Sequence, residues 1–404
     1  MINGKQLGGI LLITGNAMGG GMLALPLATA QLGFINSSLF LIACWALMLA
    51  GSLLLLEVNL EFPEQSHFVS MARTTLGRTG AMLTWLCYLL LLVSLLSAYT
   101  AGGADFLQRS LQTIHFSISL KVSAILFVFA FGLIVYQGIQ SVDHLNRMLM
   151  GGKLLIYALL ILLLLPYLSS TQLHRESFDL FPTSLTIMVT SFGFAAIIPS
   201  LRSYFHSDVA QLRRIIVIGS LIPLICYLLW NAAVMGILPF KGPGSLEYIA
   251  HTQRSTSELS HQLSQTLNVK LISGFIWSFT SICLLTSFLG VSLSLYDFLR
   301  DGLNLKNTFS GKTITALLTF LPPLLIVFFF PNTFVRALNY AGVCCVILLA
   351  LLPALMTWSR RYQKKNHFCL SSTRGETLIR LGHSCHLDYH CPIDHDIFRE
   401  IKIK

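Results

Sequence analysis

Apolar residues fill the first 360 positions in blocks of about 17 to 27, parted by short polar stretches. A helix crossing about 30 Å of hydrocarbon needs roughly 20 such residues, so each block predicts a membrane span. Ten are expected, at about 7–33, 37–60, 80–104, 121–138, 148–168, 183–203, 214–238, 270–298, 313–330 and 334–358. The first block exceeds the length of a cleavable signal and has no small-residue cleavage site after it, so it reads as a retained span.

Two spans are interrupted. Span 1 holds Thr14-Gly15-Asn16-Ala17-Met18-Gly19-Gly20-Gly21-Met22 and then Pro26, and each glycine weakens a helix by about 1 kcal/mol relative to alanine. Span 6 holds Ser191-Phe192-Gly193-Phe194 and then Pro199. If the ten spans form two repeats of five, these breaks occupy corresponding positions. Backbone released from helical bonding cannot face lipid, so it must line a protected cavity, where its N–H and C=O groups can bind a ligand. One glycine patch alone reads more simply as close helix packing; two aligned breaks reverse that choice.

Composition narrows the classes. Hydrophobic residues make up 54% and charged residues 11%, which excludes a soluble globular chain. The net charge of +10 does not point to nucleic acid, because the basic residues are scattered over loops and a tail with no basic helix or aromatic platform. Topology accounts for them. With a cytoplasmic N-terminus, fourteen Lys and Arg up to Lys365 fall inside against seven outside. Six of the nine cysteines lie in apolar blocks and read as buried hydrophobes, so no disulfide framework is implied. All twelve histidines lie outside the spans, and neither HExxH nor paired carboxylates occur within them, so an enzyme is not expected. A channel is the other rival, whose filter is normally built from subunit rings or repeated polar loops, and uptake that saturates and shows counterflow would exclude it.

The segments GGGMLALPLATAQLGF in span 1, LLLLEV in span 2, TSFGF in span 6, TSFLGVSLSLYDFL in span 8, TFLPPL in span 9, and LNYAGV with LPALMTW in span 10 resemble the aromatic amino acid permease family. The resemblance covers about residues 1–360. It implies an all-α integral membrane protein with the five-plus-five inverted-repeat fold of the leucine-transporter type. It also implies eleven spans and proton-coupled uptake of an aromatic amino acid across a bacterial inner membrane: tyrosine first, then tryptophan or phenylalanine. Two further readings stay open, an amino-acid sensor on a transporter fold and a permease for another small amino acid. Residues 1–358 then form the transporter domain, with repeats at about 7–168 and 183–358, and 359–404 a polar tail. No cofactor is expected, and the sequence does not indicate an oligomeric state. Many family members carry a histidine directly after SFGF, where this chain has Ala195 and Ala196.

An amino-acid zwitterion needs donors for its carboxylate and acceptors for its ammonium, and broken helices offer both. Gly19, Gly20 and Gly21 are the candidates for the carboxylate, and the carbonyls around Asn16, Ala17, Ser191 and Phe192, beside Gly193, for the ammonium. Phe192, Phe194 and Tyr99 are candidates to flank the side chain, against the plainer reading that each packs between helices. Thr286 and Ser287 in span 8 stand where sodium-coupled members of the fold place ion ligands, although hydroxyls in spans commonly bond their own helix. Lys153 reads two ways. Its ammonium either snorkels to the interface or reaches into the bundle, with Thr286 and Ser287 as partners, to couple a proton to uptake. Glu57, near the end of span 2, is read as structural.

The tail holds His383, Cys385, His386, His390, Cys391 and His395, in a spacing that fits no ordinary zinc finger. The eleventh span implied by the resemblance is missing there. Back-translation read one nucleotide later can yield a Gly-Gly-Lys-Pro loop and an apolar run long enough to span, so residues 366–404 are expected to be a frameshifted replacement for that span.

Overall fold

Glycine and proline decide where the helices of this chain stop. α1 (Gly4–Ala17) ends where Met18, Gly19 and Gly20 leave the helical path, and α2 (Gly21–Thr29) resumes it. A 3-10 turn at Ala30–Leu32 and the positive φ of Gly33 (71°) lead into α3 (Gly33–Leu60). Only glycine adopts such a φ cheaply. α4 (Phe68–Thr113) runs longer than the block at 80–104 predicts, because a short helix joins it across Gly77, whose backbone is non-helical (φ 76°). α5 (Leu120–Gln137) and α6 (Ile139–Leu164) follow, then the four-residue α7 (Ser170–Leu173).

The second interruption falls at the SFGF segment. α8 (Pro182–Ser191) stops there, a 3-10 stretch covers Gly193–Ile197, and α9 (Ile198–Phe205) completes the path. Next come α10 (Val209–Ile237), the short α11 (Leu246–His251) and α12 (Ser255–Leu267), then α13 (Lys270–Gly302) and α14 (Phe309–Phe329). α15 (Thr333–Cys345) passes through a π-helical stretch, Val346–Leu351, into α16 (Leu352–Thr373).

This computed structural model describes residues 4–63, 66, 68–137, 139–175, 182–205, 208–252, 254–306, 308–330 and 333–373. All regular structure among the described residues is helical, and nine of their helical segments are long and apolar enough to cross a membrane. Gly21–Leu60 counts as one of the nine because α2 and α3 run together, while α1, at 14 residues, falls short alone. The chain divides into two units, Met1–Arg361 and Tyr362–Lys404. The account below concerns the first. The tail cluster from His383 to His395 lies outside the described residues.

Within the first unit α13 packs on α4 and α6, α15 packs on α4 and α8, α1 lies against α10, and α2 against α8. The two interrupted paths therefore meet inside the bundle. Large apolar residues such as Leu39, Phe129, Leu155 and Leu317 cover its outside, as a hydrocarbon solvent permits. Glu57, read as structural, accepts Arg361 Nε at 2.9 Å and Nη2 at 2.7 Å, while Glu61 accepts Arg360 Nε at 2.8 Å. Both pairs tie the end of α3 to α16.

Candidate functional site

The two breaks line one cavity of ≈ 430 Å³. Asn16, Ala17, Gly19 and Gly21 come from the first break, and Ser191 and Gly193 from the second. Tyr99 of α4 and Thr286 and Ser287 of α13 complete the wall. The cavity extends past Leu12, Asn146, Met150, Ser200 and Ser294, from the second half of α1, the first turns of α6, α9 and the later part of α13. A second groove, of ≈ 480 Å³ between α5 and α14, is lined almost wholly by apolar residues such as Phe129, Leu133 and Leu317 and has little to orient a zwitterion.

Close backbone approach explains two of the glycines. A Cβ on Gly19 would lie 2.4 Å from Ser287 Oγ, and one on Gly20 would lie 2.6 Å from Tyr99 Cε1, both closer than atoms tolerate. Gly20 N–H donates to Ser287 Oγ at 2.8 Å, and Ser287 in turn donates to Cys283 O at 2.8 Å. Gly19 N–H donates to Ala17 O at 2.8 Å. The hydroxyl pair of α13 thus bonds its own helix and also touches the break.

The freed carbonyls are already held. Tyr227 Oη of α10 donates to Ala17 O at 2.6 Å and stands 2.9 Å from Ser191 O. Lys153 Nζ donates to Met18 O at 2.5 Å and lies 3.5 Å from Thr286 Oγ1. Lys153 is wholly buried, with its ammonium turned to the span 1 break rather than towards the interface. The expected partnership with Thr286 is thus present in the geometry, whereas Ser287 bonds Gly20.

Not every candidate meets the cavity. Phe192 and Phe194 are fully buried but are not part of its lining, and Phe192 packs edge-on against Tyr227 with ring centroids 5.3 Å apart. Gly20 touches Tyr99 and Ser287 behind the lining. Sequence reasoning missed Tyr227, one more aromatic in an apolar run, and Asp105, one residue past the block at 80–104. Asp105 is buried and accepts Thr256 Oγ1 at 2.7 Å, Ser257 N–H at 2.8 Å and Ser257 Oγ at 2.6 Å. A carboxylate directly at the end of an apolar block was the available signal.

The far end of α2 is tied to its neighbours beside a separate cavity of ≈ 350 Å³ lined by Ala30, Arg175 and Phe240. Ser184 Oγ donates to Ala28 O at 2.6 Å, and Arg175 Nη2 donates to Ala30 O at 2.7 Å while its guanidinium stacks 3.5 Å from the Phe240 ring centre.

Residues 3–381 match the tryptophan/tyrosine permease family model. The chain is 32% identical over 367 residues to the "Tyrosine-specific transport system 2" of Haemophilus influenzae, covering 90% of each protein. It is 32% identical over 372 residues to the "Glutamine transporter 2" of Aliivibrio fischeri, covering 89% of this chain and 90% of that protein. Among solved structures it superposes on MHP1, a nucleobase-cation-symport-1 family transporter in a closed conformation with bromovinylhydantoin bound, with a TM-score of 0.60 and 15% identity. That match spans 82% of this chain and 74% of the transporter, and at this identity it shows the fold alone.

Proposed function

This chain belongs to the tryptophan/tyrosine permease family, and from that premise we propose that it is a secondary transporter taking up an aromatic amino acid, tyrosine first, by proton symport and alternating access. Its relatives are transport proteins rather than enzymes. One observation carries the reading: both interrupted helices and Tyr99 line a single cavity. A zwitterion there meets the positive N-terminal end of α2 with its carboxylate and the break carbonyls with its ammonium, while the Tyr99 ring flanks its side chain.

In this reading the ten apolar blocks form two inverted repeats of five, α1–α6 and α8–α16, of the leucine-transporter type. The N-terminus lies in the cytoplasm of a bacterial cell, and the membrane is the inner one. Leu12, Asn146, Met150, Ser200 and Ser294 then belong to the cytoplasmic half, so the cavity is the inward-facing state with its outer end shut by the Arg175 and Ser184 contacts. Lys153 is the proton carrier. A buried ammonium against Met18 O, at the break itself, links its protonation to the geometry of the substrate site.

The test is counterflow of labelled tyrosine by purified protein in liposomes, with tryptophan, phenylalanine and glutamine as competitors. Saturable exchange competed by aromatics supports the reading. Binding without exchange makes the chain a sensor, flux that does not saturate makes it a channel, and exchange competed by glutamine alone makes it a permease for another amino acid, a case the similarity to the Aliivibrio protein requires including.

A further inference from the structure

We infer that Tyr227 is a positioning residue for the substrate's α-amino group, a role that rests on the transport reading above. Ala17 is the last residue of α1 and Ser191 the last of α8, so each carries a carbonyl at the lip of a break. Tyr227 Oη sits between these two oxygens, at 2.6 and 2.9 Å, across 210 and 36 residues of chain. Ala17 and Ser191 line the cavity; Tyr227 is wholly buried and does not. Its hydroxyl therefore grips both lips from behind the wall.

One phenolic proton cannot serve two acceptors fully at once. The hydroxyl shares it between the breaks and fixes the spacing of their carbonyls, because neither oxygen can withdraw without leaving a buried polar atom poorly matched. The ring is held as well, edge-on to Phe192 in the second break. Ala17 O also accepts Gly19 N–H at 2.8 Å, and Met18 O accepts Lys153, so both carbonyls at this end of α1 take a donor that sets their direction. An ammonium entering the cavity, with three donors, meets two break carbonyls at a fixed spacing, each only partly served by the one proton that Tyr227 shares between them. The group that discriminates an amino acid from its deaminated analogue is thus backbone, and Tyr227 holds that backbone in register.

Tyr227→Phe removes the hydroxyl and keeps the ring. Transport by the purified variant in liposomes is expected to show a KM raised about tenfold, the size of one lost buried hydrogen bond, with the maximal rate reduced much less. Preference for the amino acid over its deaminated analogue, read from competition, should fall by a similar factor. Placing 4-aminophenylalanine at 227 restores a donor on the same ring and should recover both values. A KM and preference equal to the parent's would overturn the inference, as would a fall in maximal rate alone, which marks a structural role. If Tyr227→Phe does not fold, the 4-aminophenylalanine protein still decides: parental preference supports the role of a donor, and lost preference in a folded, transporting protein opposes it. The comparison uses whichever amino acid the parent carries, so a parent that carries glutamine overturns the aromatic assignment and leaves this test intact. A parent that carries none overturns the transport reading itself.

Discussion

Gly20 shows how much a single hydrogen atom decides in this protein. Because a Cβ there would lie 2.6 Å from Tyr99 Cε1, alanine suffices to push the Tyr99 ring out of the cavity wall. Gly20→Ala should fold in the membrane yet lose substrate affinity by about tenfold or more, the equivalent of about 1.4 kcal/mol, in a binding assay on the purified protein. Unchanged affinity in Gly20→Ala removes Tyr99 from the site. Lys153 yields a second prediction. Lys153→Gln keeps an N–H for Met18 O but no exchangeable charge, so accumulation driven by a pH gradient should vanish while exchange of labelled for unlabelled substrate persists. Accumulation at the parental level would make Lys153 a structural residue. Both positions stand out in the sequence because triple glycine and an intramembrane lysine are rare, but the sequence left open whether Lys153 snorkels or reaches into the bundle. Tyr227 does not stand out, since its importance comes from two carbonyls brought to it by chain 210 and 36 residues away.

At the scale of elements, Asp105 joins α4 to the start of α12. The N-cap residue of α12, Arg254, makes no side-chain cap, and the donor of the third helical residue, Ser257 N–H, goes to Asp105 instead. Capping by a residue from another helix fastens that helix in place. Asp105→Ala takes the acceptor from Ser257 N–H, at a cost of about 1–3 kcal/mol if it stays dry, while Thr256 Oγ1 and Ser257 Oγ keep only the longer contacts to Gly102 O and Arg254 O, each at 3.4 Å. The melting temperature of the purified protein should fall by several degrees, and limited proteolysis should cut first within the stretch from 254 to 267. A melting curve that superposes on the parent's denies Asp105 the capping role. Element breaks marked by glycine, at 19–21 and 193, could be read ahead. The non-helical joint at Gly77 and the π-helical Val346–Leu351 could not, because an apolar run looks the same whichever hydrogen-bond register its backbone takes.

For the whole molecule, the hydropathy pattern gives ten blocks where nine helical segments among the described residues are long and apolar enough to cross a membrane, since length and apolarity are set by the solvent a span must cross. It could not tell which end of the bundle is open, because that depends on which of two packings the helices hold. The cavity wall makes this testable. Ser200 and Ser294 line its mouth and are exposed, and both fall on the cytoplasmic side of the topology proposed here. Cys44, Cys87, Cys226, Cys283, Cys344 and Cys345 are buried, so a background lacking only Cys369, Cys385 and Cys391 suits labelling. In that background Ser294→Cys and Ser200→Cys should react with a membrane-impermeant maleimide in inverted vesicles and stay unlabelled in right-side-out ones. Saturating substrate should slow the reaction, because binding between the two breaks occludes the space below them. Labelling only in right-side-out vesicles would reverse the topology and make the same cavity outward-facing. Equal labelling from both sides would mean that the contacts of Arg175 with Ala30 O and Phe240 do not shut the far end, and alternating access would need another gate.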